Sequence, residues 1–134
     1  MVVDACVWIS LHLAHDRYHQ ATDRWFRRVE RQRTPMVAPV ILLAEVSGAV
    51  SRRTGDSPGA QALVQAMSRL STLSLLPVDR ELGDIAARLA ADLRLRGADA
   101  CYVAVAQTLD LPLVTWDEEL RERAQRVVAA VEPE

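Results

Sequence analysis

Ala98-Asp-Ala-Cys-Tyr-Val-Ala-Val-Ala-Gln-Thr-Leu-Asp-Leu-Pro-Leu-Val-Thr-Trp-Asp117 contains a helix, its stop, a strand and the start of another helix. Residues 98–109 read as a helix closed by Asp110 and Pro112, because proline cannot continue one. Residues 113–115 read as a strand, and a helix over 117–126 leads to a last strand at 127–131. The same alternation runs outward to the N-terminus. A strand over 1–5 precedes apolar helical residues 7–13, and Asp16 sits where an N-cap belongs, ahead of a helix over 17–32. A strand at 36–38 follows Pro35, and Pro39 in a first turn predicts a helix over 40–53. Gly55, Ser57, Pro58 and Gly59 mark a turn before a helix at 60–70, a strand at 73–78, and a helix from Asp79 to Arg96 ending on Gly97 as its C′ residue. Strands alternating with longer helices imply a parallel sheet covered on both faces.

Composition narrows the class. The chain has 134 residues, half of them apolar and a quarter charged, as expected for one globular domain over 1–134. A net charge of −2 argues against coating nucleic acid by bulk charge. All sixteen basic residues are Arg, so any mechanism that needs a Lys is excluded. Cys6 and Cys101 make neither a disulfide framework nor a zinc pattern, and both are expected as small core residues. The longest apolar run, residues 40–44, is too short to cross a membrane, and no basic leader precedes Asp4, so a cytoplasmic, reducing location is expected.

Ligands of open parallel sheets lie at the carboxyl ends of the strands, which makes acids at strand exits the candidates. Asp4 leaves the first strand and Asp117 the fourth, Asp99 opens a helix, and Glu45 interrupts the apolar Ile41-Leu-Leu-Ala-Glu-Val46. Taken singly, Asp4, Asp99 and Asp117 read first as helix caps, and Glu45 as a solvent-edge residue or a partner of Arg52 or Arg53. Together, four carboxylates would repel one another unless a cation sat among them, and a hard divalent ion suits oxygen-only ligands. Arg52, Arg53, Arg94 and Arg96 are placed to grip phosphate. The arginines between 24 and 33 read as a solvated face, His12, His15 and His19 as surface or helix-end residues, and Trp116 either as a base platform or as packing.

Val2-Val-Asp-Ala-Cys-Val-Trp-Ile9, Leu43-Ala-Glu-Val46, Gly97-Ala-Asp-Ala-Cys-Tyr-Val-Ala-Val-Ala106 and Leu113-Val-Thr-Trp-Asp117 resemble, in order and spacing, the motifs of PIN domains, in particular the VapC-type toxins of toxin–antitoxin pairs. The likeness spans essentially the whole chain. It implies a three-layer α/β/α sandwich with a central parallel sheet and a metal-dependent endoribonuclease hydrolysing RNA phosphodiester bonds. On this chain Asp4, Glu45, Asp99 and Asp117 match the family's acidic cluster for Mg²⁺ or Mn²⁺, and Thr115 matches the polar residue that accompanies the fourth acid. An antitoxin partner and a homodimer are likewise implied, with Leu43, Val46, Leu63, Val64 and Met67 available either for an interface or for the core. Many relatives carry Ser where this chain has Cys6. The alternative is a PIN-like fold kept as a non-catalytic RNA- or protein-binding module. Haloacid-dehalogenase and Toprim chemistries require a D-x-D that is absent here, and receiver domains require a Lys.

Overall fold

The computed structural model describes residues 1–134. In chain order the elements are β1 (Val2–Val3), α1 (Ala5–His12), α2 (His19–Arg31), β2 (Met36–Pro39), α3 (Leu42–Thr54), α4 (Ser57–Met67), β3 (Leu73–Leu76), α5 (Arg80–Leu93), α6 (Gly97–Leu109), β4 (Leu113–Val114), α7 (Glu118–Ala124) and β5 (Ala130–Val131). All strand pairs are parallel, in the order β3-β2-β1-β4-β5. Helices cover both faces, giving the expected three-layer α/β/α sandwich.

The register is set by buried aliphatic residues. Val2 lies opposite Val37 on one side and Leu113 on the other, and all of β1 and β4 is buried. After β1 the chain builds the sheet toward β3, then crosses back to lay β4 on the other flank of β1. Chain segments leaving β1 and β4 therefore diverge, and a crevice opens at their carboxyl ends. The last rung, Asp4 N–H to the Val114 carbonyl at 3.0 Å, places Asp4 on one lip and Thr115 on the other.

Several boundaries differ from the sequence expectation. Pro39 does not begin a helix. It ends β2 opposite Leu76, and the Val40 N–H still donates to the Leu76 carbonyl at 2.7 Å, so the sheet keeps the chain extended and α3 starts at Leu42. Gly97 is not the C′ residue of α5. That helix stops at Leu93 because Arg94 turns left-handed (φ 55°), with the Leu95 N–H reaching back to the Ala90 carbonyl, and Gly97 instead opens α6. Asp16 accepts from the Tyr18 N–H at 3.0 Å in a turn, so α2 begins at His19. α4 starts at Ser57 rather than 60, capped by Asp56, whose carboxylate accepts from the Gly59 N–H at 2.9 Å. Strands expected at 1–5, 73–78, 113–115 and 127–131 are shorter, because a parallel strand lasts only as long as its neighbour offers a ladder.

One hydrophobic cluster fills the space between sheet and helices, with Trp8, Met36, Leu42, Tyr102 and Leu113 fully buried. Val46 and Met67 belong to this core and are removed from any interface, whereas Leu43, Leu63 and Val64 remain half-exposed. No helix is long and apolar enough to cross a membrane.

Candidate active site

The crevice between β1 and β4 holds a cavity of about 280 Å³ lined by Asp4, Glu45, Asp99 and Asp117, with Arg96 its only basic residue and Cys6 at the edge. The four acids named from the sequence thus meet, although they come from four separate segments of the chain.

Asp4 precedes α1 at the N-cap position, yet its side chain makes no cap hydrogen bond. Its Oδ2 instead accepts from the Thr115 hydroxyl at 2.7 Å and from the Cys6 thiol at 2.8 Å. Burial pushes its carboxyl above the usual range, the charge of Asp99 adds to this, and the two side-chain donors partly offset it. Thr115 is fully buried and joins the lips of the crevice, donating to Asp4 while its oxygen accepts from the Asp117 N–H at 3.0 Å.

Asp117 does cap α7, its Oδ1 accepting from the Leu120 N–H at 2.9 Å, but its Oδ2 is free for the Arg96 Nη2 at 3.0 Å. Asp99 sits in the first turn of α6 without capping it, and its Oδ2 takes the Arg96 Nε at 2.7 Å. Arg96 therefore bridges Asp99 and Asp117, and the hydrogen bond it donates to Asp99 together with the nearby carboxylate charge raises its already high pKa. Glu45 lies half-buried on α3, where its Oε2 accepts from the Tyr102 hydroxyl at 2.7 Å. Burial, then the charges of Asp4 and Asp99, pushes its carboxyl up against the lowering effect of Tyr102.

This donor set suits a hard divalent cation: carboxylate oxygens, two of them pushed toward protonation by burial and by mutual charge, around one cavity. As the side chains stand, no three His, Cys, Asp or Glu groups are gathered tightly enough to chelate one ion. The positive charge between Asp99 and Asp117 is the guanidinium of Arg96.

Sequence reasoning missed Tyr102 and understated Cys6. A hydroxyl within the aliphatic run of α6 was a usable signal, because a fully buried tyrosine must find an acceptor. Cys6 is not core filler. It donates to Asp4 and accepts from the Trp116 N–H at 3.3 Å, and burial followed by the Asp4 charge drives its thiol pKa well up, which keeps it protonated as a donor. Cys101 is half-buried. Of the arginines proposed for phosphate, Arg94 and Arg96 line a second pocket beside Asp99 and Asp117 together with Arg123, whereas Arg53 pairs with Asp16 at 3.1 Å and lies outside both the cavity and this pocket. The arginines of α2 are exposed, and the three histidines form no ligand cluster.

The family model described as PIN domain matches residues 1–125. No curated protein matches the chain. Among solved structures, the chain resembles VapC20 of Mycobacterium tuberculosis, described as a sarcin-ricin loop cleaving toxin, at 19% identity and a TM-score of 0.75, with 90% of this chain and 92% of that one covered. FitAcB from Neisseria gonorrhoeae is 18% identical with a TM-score of 0.73 over 98% of this chain and 96% of that one. VapBC2 from Rickettsia felis, bound to a DNA fragment from their promoter, is 14% identical with a TM-score of 0.71 and the same coverages. At such identities the likeness is one of fold.

Proposed function

The chain belongs to the PIN-domain family, a family of nucleases, and from that premise we propose that it is a metal-dependent endoribonuclease hydrolysing RNA phosphodiester bonds. The observation that carries this reading is the convergence of Asp4, Glu45, Asp99 and Asp117 on one cavity at the carboxyl ends of β1 and β4. Asp4 and Asp99 would hold Mg²⁺ or Mn²⁺, with Glu45 and Asp117 completing the set. A divalent ion bound there supplies a polarised phosphoryl oxygen and an activated water at neutral pH.

The chain's own residues do the rest. Thr115 and Cys6 orient the carboxylate of Asp4, and Tyr102 orients that of Glu45, each through a short side-chain hydrogen bond. Arg96, its side chain 75% exposed, is placed to turn its planar fork toward an RNA phosphate, with Arg94 and Arg123 beside it.

We extend the proposal to a cytoplasmic toxin of a VapBC-type pair, built as one PIN domain over 1–134, homodimeric and held in check by an antitoxin. Its support is likeness of fold to proteins described as a toxin and as antitoxin complexes. Half-exposed Leu43, Leu63 and Val64 on α3 and α4 offer the apolar surface for pairing. The test of the chemistry is Asp4→Asn, assayed for Mg²⁺- or Mn²⁺-dependent cleavage of structured RNA. Loss of cleavage with a retained fold is expected, and undiminished cleavage would refute the mechanism.

A further inference from the structure

Another concavity, about 730 Å³, adjoins the acidic cavity and shares Cys6, Ile9 and Asp117 with it. Its wall is an aromatic stack. Tyr18 and Trp116 lie nearly parallel, with ring centroids 4.3 Å apart and 4° between planes, and the Arg17 guanidinium rests 4.5 Å from the Tyr18 ring centre. Trp116 is anchored from behind, its Nε1 donating to buried Thr22 at 2.8 Å and its backbone N–H to Cys6. These anchors hold the platform rigid, which a stacking surface requires. Stapling the loop before α2 to the exit of β4 would account for the pairing. It would not account for a groove, continuous with the acids, in which the exposed guanidinium of Arg17 lies over the Tyr18 ring.

Charge at the rim adds selectivity. Asp16 is neutralised by Arg53, Asp117 by Arg96 and Glu119 by Arg123. Glu118 and Glu122 are exposed and carry no ion pair. Ionised carboxylates accept hydrogen bonds and cannot donate, so they favour base edges bearing an amino group and disfavour the uracil edge, where carbonyls flank the single N–H. A base stacked on an aromatic ring outweighs an exposed cation–π contact, so Arg17 yields to a base and becomes free for the adjoining phosphate.

We propose that this groove seats the base of a nucleotide neighbouring the scissile phosphate, stacked on Tyr18 in place of Arg17, with adenine, cytosine or guanine preferred over uracil. The assignment rests on the ribonuclease reading and names a specificity site for it.

The test uses fluorescein-labelled RNA tetramers A₄, C₄ and U₄ bound to the full chain carrying Asp4→Asn, followed by anisotropy. A₄ and C₄ should bind more tightly than U₄. Tyr18→Ala should weaken A₄ binding about tenfold and Tyr18→Phe by less than about twofold, as expected for loss or retention of one stacking face. Trp116 fluorescence should be quenched by A₄, since Trp8 and Trp25 are buried and silent to it. Mn²⁺ affinity, measured with native Asp4 in place, should be unchanged by Tyr18→Ala. Equal binding of all tetramers, no effect of Tyr18→Ala, a parallel loss of Mn²⁺ affinity, or an effect confined to a tetra-arginine probe would each overturn the proposal, the last by making the groove a protein site. Failure of the native chain to cleave any RNA with metal would instead overturn the ribonuclease reading, leaving the tetramer result to stand on its own.

Discussion

Thr115→Val removes one hydroxyl at nearly constant volume, and the structure sets its consequence. Asp4 is 5% exposed, and its Oδ2 has two side-chain donors, of which Thr115 at 2.7 Å is a charge-assisted hydroxyl. A buried bond to a charged acceptor contributes about 1.5–3 kcal/mol. The Asp117 N–H loses its acceptor as well, so we expect about 2–3 kcal/mol of lost stability. For a chain of this length that corresponds to a fall in Tm of roughly 6–12 °C at neutral pH. Thr115→Ser keeps the hydroxyl and loses one buried methyl, about 1 kcal/mol. Melting by circular dichroism in chelator gives the first comparison and Mn²⁺ titration calorimetry the second, where Val should weaken binding and Ser should not. The Val penalty should shrink as pH falls, because a protonated Asp4 no longer needs a donor at Oδ2. Equal melting of the Val and Ser variants, or a penalty independent of pH, would refute the claim that this hydroxyl acts by holding an anion.

Arg96→Gln removes the internal cation between Asp99 and Asp117. Exposed contacts of this kind are worth about 0.2–1 kcal/mol each, so Mn²⁺ affinity should rise roughly fivefold while RNA cleavage falls. Unchanged metal affinity would show that the guanidinium does not compete. Tyr102→Phe should weaken Mn²⁺ binding while costing about 1–2 kcal/mol in stability, since Glu45 loses its donor. Denaturant titration separates the two effects, and a variant indistinguishable from wild type would deny Tyr102 its positioning role. In the pH dependence, the folded-state pKa values of Asp4 and Glu45 are raised, chiefly by burial, so their contribution is fully present below the ordinary carboxyl range and is lost as pH rises through the raised values. In chelator, the melting deficit of wild type against Asp4→Asn should therefore widen with rising pH, and Mg²⁺ should narrow it. A deficit that narrows with pH instead would reverse the assigned direction.

What the sequence determined by itself was periodic and local. Aliphatic runs separated by amphipathic helices specify a parallel sheet, and acids at strand exits are visible because the strand ends before them. Residues such as Asp4 and Glu45 stand out by being charged within apolar surroundings. Element ends were less legible: Pro39 extends the sheet because Leu76 offers it a partner, and α5 ends at Arg94 because its backbone turns left-handed there, neither of which a local pattern encodes. Tertiary structure alone decided which function each polar atom serves. Whether Asp4 caps a helix or faces a cavity depends on Thr115, 111 residues away, and whether Glu45 is solvated depends on Tyr102, 57 residues away. Hydrogen bonds act over a few ångströms and charge interactions over about 10 Å, so they are set by the sheet order that brings β1 beside β4, and the order of residues along the chain does not contain them.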